Sequence, residues 1–129
     1  MKKASIVSIG NELLTGQTDT NTAYLSSELL SIGIPAVSSY TVGDDIGVIV
    51  RVLNLACTDA EVILVTGGLG PTDDDLTRQA FANFLGAELQ LQNELLHRIQ
   101  NMFAMRNLEM PETNKIQAYI PTGARALTN

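Results

Sequence analysis

After its first residue, the run Glu61-Val62-Ile63-Leu64-Val65 is uncharged, apolar and rich in β-branched side chains. That is the composition of a strand covered on both faces, so the rest of the chain must supply a layer above it and a layer below. Thr66-Gly67-Gly68-Leu69-Gly70-Pro71-Thr72-Asp73-Asp74-Asp75-Leu76-Thr77 follows at once. Gly67, Gly68 and Gly70 let the backbone take positive φ and bring bare N–H groups up to a ligand oxygen. Thr72, with Asp75 three residues on, reads as a capping-box-like helix start whose partial positive end faces the same space. The plain alternative is a turn followed by a capped helix, since neither GxGxxG nor GxxxxGK[ST] is present. Three consecutive aspartates nevertheless exceed what capping needs. Adjacent carboxylates repel and raise one another's pKa unless a cation intervenes, and a metal-bridged phosphate reconciles them with an anionic ligand.

The same alternation of buried strand and amphipathic helix runs through the chain. Ala4 to Ile9 is the first strand, and a loop follows from Gly10 to Gly16. A helix from about Asn21 to Ile32 stops at Gly33, with Tyr24, Leu25, Leu29 and Ile32 as its buried stripe. Ile34 to Val42 is the second strand, Asp44 or Asp45 caps a helix running to about Thr58, and residues 61–66 form the third strand. Such a βαβαβ series implies a parallel sheet with right-handed crossovers. Beyond it the pattern predicts a helix over 75–85, a short strand over Ala87–Leu91, a helix over Asn93–Asn107 and a strand over Lys115–Ile120. No helix then covers the far side of that last strand, so residues 1–129 read as one domain lacking its final part.

Of the 129 residues 45% are hydrophobic, enough for a real core. The net charge of −6 argues against a nucleic-acid or anionic-membrane surface, which needs stripes of Lys and Arg. No apolar run reaches the ~18 residues of a membrane span, and Met1-Lys2-Lys3 leads straight into a strand rather than a signal sequence. A cytoplasmic location is expected. The single cysteine excludes an internal disulfide. Cys57 falls in line with Ile46, Ile49, Val50 and Leu53, the position of a core thiol. His97, among Leu95, Leu96, Ile99 and Phe103, reads as structural or solvated rather than as a general base.

In an open parallel sheet, ligands bind beyond the carboxyl ends of the strands where strand order reverses. Three loops leave those ends, carrying Gly10-Asn11-Glu12, Gly43-Asp44-Asp45 and Thr66–Asp75. Their convergence makes Glu12, Asp44, Asp74 and Asp75 candidate metal ligands or general bases. It also makes the amides of Gly67, Gly68 and Gly70 candidate phosphate donors. Asn11 and Thr66 are candidates for a sugar hydroxyl, against the ordinary habit of short polar residues to bond their own backbone. Asp73 reads as first-turn charge, and Arg78 as a salt-bridge partner of Asp74 or Asp75.

Three motifs carry a family resemblance: Ile9 to Gln17 with Asp19-Thr20-Asn21, Thr66 to Thr77, and Asn114-Lys115-Ile116-Gln117-Ala118 with Pro121-Thr122-Gly123-Ala124. Together they resemble the N-terminal domain of the CinA (competence/damage-inducible) family, which is similar to the molybdopterin-binding domains of the MoaB/MogA type. The resemblance implies a three-layer αβα fold with a mostly parallel sheet, a crevice for a phosphate-bearing nucleotide or pterin ligand, and a homo-oligomer. It also implies metal-dependent hydrolysis of ADP-ribose to AMP and ribose 5-phosphate. In that reading Gly67, Gly68 and Gly70 hold the diphosphate, Asp44, Asp74 and Asp75 anchor a divalent metal ion, and Glu12 positions the water. The MoaB/MogA branch implies molybdopterin binding and adenylyl transfer instead, with its two important aspartates at Asp44 and Asp75. That branch usually has arginine where this chain has Asp74, and the extra carboxylate favours the CinA reading. A non-catalytic nucleotide-binding regulatory module is the third possibility. Family domains continue past Asn129 into a further ligand-side loop, and CinA proteins add a C-terminal nicotinamide-mononucleotide deamidase domain. This chain is therefore expected neither to deamidate nor to hydrolyse ADP-ribose efficiently on its own.

Overall fold

The computed structural model describes residues 1–128. Strand β1 (Ala4–Ile9) is buried along its whole length, because it is the centre of a three-stranded sheet in the order β2-β1-β3. Both neighbours, β2 (Ala36–Val42) and β3 (Val62–Thr66), run parallel to it, in a register that sets Ile9 beside Val42 and Ser8 beside Thr66. The three carboxyl ends thus lie side by side.

Strand pleating divides the core in two. Ala4 and Ile6 point to one face with Leu25 and Leu29 of α2 (Thr20–Ser31). Val7 and Ile9 point to the other, against Ile49, Val52, Leu53 and Ala56 of α3 (Ile46–Asp59) and Ala80 of α4 (Thr77–Leu85). Helix, sheet, helix is the three-layer α/β fold expected from the sequence. Two serines share the central strand, and each finds a partner: Ser38 Oγ donates to Ser5 Oγ (2.7 Å), and Ser8 Oγ bonds the Thr22 hydroxyl (2.8 Å). A one-turn helix α1 (Asn11–Leu14) interrupts the first loop. After α4, whose C-cap is the left-handed Gly86, comes a small antiparallel ribbon of β4 (Leu89–Leu91) and β5 (Tyr119–Pro121), with α5 (Asn93–Ala104) between them in sequence.

Several expectations need correction. Tyr24 and Ile32 are exposed, because a sheet of three strands is too narrow for α2 to bury more than the row through Leu25 and Leu29. Cys57 is exposed as well. The buried row of α3 runs Ile49, Val52, Leu53, Ala56, and one residue further turns the thiol about 100° toward solvent. Residues 115–118 are not extended. Pro111 starts a 3₁₀ helix (Glu112–Ala118) in which the Asn114 side-chain amide donates to Gln117 Oε1 (2.9 Å), the i,i+3 pairing that 3₁₀ geometry aligns, and only Tyr119–Pro121 forms a strand. His97 is exposed, as a solvated residue should be. Among the described residues no helix is long and apolar enough to cross a membrane.

Candidate functional site

The chain leaves β1 toward β2 on one side and returns to β3 on the other, so strand order reverses between the carboxyl ends of β1 and β3. A polar cleft of about 100 Å³ lies there, lined by Ile9, Glu12, Asp19, Asn21, Thr66 and Gly67 among others. Drug-sized ligands fill roughly 300–1,000 Å³, so this cleft has room only for a piece the size of one phosphate or sugar. A larger, apolar groove of about 610 Å³ runs along the free edge of β3 instead, walled by Ile63, Val65, Phe81, Leu85, Tyr119 and Ile120. Thr77, Arg78 and Gln117 are the polar side chains in its lining, and the candidate loop residues Glu12, Thr66 and Gly67 line the smaller cleft instead.

The first and third loops line the cleft, while the loop at Gly43–Asp45 lies outside its lining and is tied to the first. The Asn11 backbone amide donates to Asp44 Oδ2 (3.3 Å), and the Asp44 amide donates to Asn11 Oδ1 (3.0 Å). Asp44 and Asn11 therefore first hold two loops together, and Asp45 rather than Asp44 is the cap of α3, accepting from the Val48 amide (3.0 Å). Glu12 lies over Gly10, where a Cβ would come 2.3 Å from its Oε1. The third loop presses still closer. Gly67 has φ +90° and a Cβ there would sit 1.9 Å from the Ile9 carbonyl oxygen; Gly68 has φ +68° and faces the Thr77 hydroxyl. Both need glycine. Gly70 keeps an ordinary φ, so its role is close approach: a Cβ would meet the Asp75 carboxylate at 2.6 Å.

The expected capping box is misplaced. The Thr72 amide and hydroxyl do bond Asp75 Oδ2 (2.9 and 2.8 Å), but they close a turn ahead of α4, which starts at Thr77 with Leu76 at its cap. Asp73 is accordingly not a first-turn residue. Burial pushes the Asp75 carboxyl up, but the Thr72 hydroxyl and amide, the Gly70 amide and the nearby Arg78 charge outweigh it and hold the pKa below the ordinary 3.8. Arg78 forms no salt bridge with Asp74 or Asp75. It is buried and donates from Nη1 to the Gly70 carbonyl (3.0 Å) and from Nη2 to the Leu69 carbonyl. Burial lowers the pKa of the guanidinium, and the Asp75 charge partly restores it.

Among the described residues no three His, Cys, Asp or Glu side chains gather as a metal site. Asp44, Asp74 and Asp75 therefore do not form a preassembled centre: Asp44 is engaged by Asn11, Asp75 by Thr72, and Asp74 is exposed. The donor set does not fit a resident metal ion.

Sequence reasoning overlooked three contributors. Thr77, buried, closes the turn by donating from Oγ1 to the Gly67 carbonyl (2.7 Å). Gln117 reaches from the 3₁₀ helix toward the Leu69 carbonyl (3.4 Å). Asp19 caps α2, accepting from the Thr22 amide (3.0 Å) and hydroxyl (2.5 Å), and lines the cleft. Its pKa falls below 3.8 because those bonds and the Ser8 hydroxyl outweigh the upward effect of burial. The Asp19-Thr20-Asn21 cluster before an apolar helix was its visible cue.

A family model described as a probable molybdopterin binding domain matches residues 5–127. The chain belongs to that family. Among relatives of this molybdopterin-binding-type domain, a CinA-like protein of Thermomicrobium roseum is 49% identical over 116 residues, 89% of this chain and 29% of that protein. A CinA-like protein of Dictyoglomus thermophilum is 41% identical over 128 residues, 98% of this chain and 31% of that one. The domain thus spans under a third of the relatives' length. The crystal structure of a CinA protein of unknown function from Thermoplasma acidophilum superposes with TM-score 0.88 at 29% identity, covering 99% of this chain and 75% of the other. The molybdopterin biosynthesis enzyme MoaB of Thermus thermophilus shares the fold at TM-score 0.60 and 20% identity, covering 94% and 79%. The CinA resemblance and the MoaB/MogA-type fold read from the sequence both hold.

Proposed function

We propose that the domain binds the diphosphate of a nucleotide at the glycine turn, and that in a CinA-type protein this crevice serves hydrolysis of ADP-ribose to AMP and ribose 5-phosphate. The observation that carries the reading is the turn itself. Gly67 presses it onto the end of β1 and Gly68 onto Thr77, Thr77 and Arg78 hold its carbonyls, and among the described residues no protein acceptor pairs with the Gly68 or Leu69 amide. Backbone amides at such a turn suit phosphate oxygens. Thr66 and Asn21, in the adjoining cleft, suit the ribose hydroxyls.

Hydrolysis adds water across the P–O–P bond: oxygen attacks one phosphorus, the bridging oxygen leaves with the other phosphate, and the water's proton goes to a base. Glu12, which lies over Gly10 at the cleft wall, is the residue this reading assigns to orient that water and take the proton. A divalent cation that came in with the substrate would supply charge neutralisation at the diphosphate. Pterin-phosphate binding with adenylyl transfer is the second reading, favoured by the family match itself.

Calorimetric titration of the chain with ADP-ribose and with molybdopterin, each with and without Mg²⁺, is the test, joined to product chromatography on a full-length CinA-type protein. ADP-ribose binding, strengthened by Mg²⁺ and abolished by Gly68→Val, is the expected result, with Asp75→Asn lowering turnover far more than stability. Binding of molybdopterin alone, or unchanged turnover in Asp75→Asn, overturns the pyrophosphatase reading.

A further inference from the structure

Arg78 is a charged side chain only 8% exposed, yet its guanidinium meets no carboxylate within ion-pair distance; among the described residues only Glu94 and Arg98 form such a pair. A buried cation requires compensation, and here two consecutive carbonyls of the glycine turn supply it, Leu69 and Gly70. Their identity has a geometric consequence. A trans peptide is planar with its C=O and N–H antiparallel, so anchoring the Leu69 carbonyl on Arg78 aims the Gly70 N–H the opposite way, and the Asp75 carboxylate lies against that same glycine. The next peptide joins Gly70 to Pro71, which has no N–H to offer. Its carbonyl is the one group of that peptide able to face an incoming anion, and Arg78 draws it away.

We propose that Arg78 is a positioning residue, which holds the acceptor oxygens of the glycine turn behind the loop so that its amides face a phosphate. The inference rests on the diphosphate reading above for its ligand but not for its geometry. The Asp75 carboxylate, packed against Gly70, is then the internal anion nearest to those amides. Gln117, donating toward the same Leu69 carbonyl at 3.4 Å, is an auxiliary support from the 3₁₀ helix.

The test compares wild type with Arg78→Gln, Arg78→Lys and Arg78→Ala. Hydrogen exchange of peptides spanning 66–77 should accelerate at least tenfold in Arg78→Gln, while peptides from β1 and α3 keep their protection. Titration with inorganic pyrophosphate should show at least tenfold weaker binding in Arg78→Gln and an intermediate loss in Arg78→Lys, whose single ammonium cannot hold two carbonyls at once. Low-millimolar guanidinium, but not equal NaCl, should restore part of the affinity of Arg78→Ala, a rescue that a merely stabilising side chain would not show. Unchanged exchange at 66–77 in a folded Arg78→Gln overturns the proposal. So does global rather than local loss of protection in both Arg78→Gln and Arg78→Lys. If wild type does not bind pyrophosphate, the diphosphate reading fails, and the exchange comparison alone decides the role of Arg78.

Discussion

Gly67 and Gly86 both adopt positive φ, +90° and +63°, but only Gly67 has a neighbour where a side chain would go. The pair separates the cost of conformation from the cost of contact. Gly86→Ala should lose about 1–2 kcal/mol, the penalty of a left-handed conformation for a residue with a Cβ. Gly67→Ala incurs the same penalty and also places a methyl 1.9 Å from the Ile9 carbonyl oxygen. That oxygen belongs to the backbone of the central strand and cannot swing aside, so the turn must lift off β1, at a further cost of about 1–3 kcal/mol, as for overpacking a core. The total is about 2–5 kcal/mol. Urea denaturation followed by circular dichroism reads the difference directly. With a slope of roughly 1–3 kcal/mol/M, Gly67→Ala should lower the midpoint by about 1 M more than Gly86→Ala, at unchanged slope. Equal midpoint shifts for the two variants would refute the claim that the turn is pressed onto β1.

Asp19 and Asp75 both titrate below 3.8 when folded, so the stability they add is complete above that pH and is lost as pH falls through their lower folded values. Asp19→Asn and Asp75→Asn should each flatten the fall of the melting temperature below about pH 4; an unchanged acid limb counts against these hydrogen bonds. The Tyr40 hydroxyl donates to Asp59 Oδ2 (2.5 Å), and that bond together with the Asp59 charge raises the phenol above its ordinary 10.0. Ultraviolet titration should show one late tyrosine that Asp59→Asn returns toward normal. The free edge of β3, beside an apolar groove, should make the chain associate with rising concentration, because an unpaired strand edge is a pairing template. Sedimentation velocity showing a monomer at all concentrations would contradict that.

The layers and their order were legible because each rests on local periodicity. Ala4–Ile9 can be little other than a covered strand, whereas Val62–Thr66, read as covered on both faces, is an edge strand half-buried along its length; Gly33 and Gly86 end helices for the same stereochemical reason. The three site loops were legible too, since strand direction alone puts Gly10, Gly43 and Gly67 at one edge. What failed was finer than periodicity can resolve. Cys57 and Ala56 differ by one step of helical rotation, and only packing decides which is buried. Thr72 and Asp75 have capping-box spacing wherever the helix begins, and here the chain spends that pattern on a turn. Arg78 looked like a partner for the aspartates because sequence shows charges and not carbonyls. The backbone acceptors that claimed it are invisible until the turn is built.

The two serines of the central strand set terms for how this sequence can drift. Ser5 and Ser38 lie on neighbouring strands and satisfy each other, while Ser8 bonds the Thr22 hydroxyl, which is itself tied to the cap of α2. A mutation from Ser38 to alanine leaves the Ser5 hydroxyl with no access to water at the middle of the sheet, whereas Ser5 to alanine leaves a Ser38 hydroxyl that is half-exposed on the edge strand and can turn to water. Replacing both at once by alanine removes the debt altogether. Alanine at position 38 should therefore be penalised alone and tolerated when position 5 changes with it. A library that varies residues 5 and 38 together should recover combinations that neither single-site scan contains.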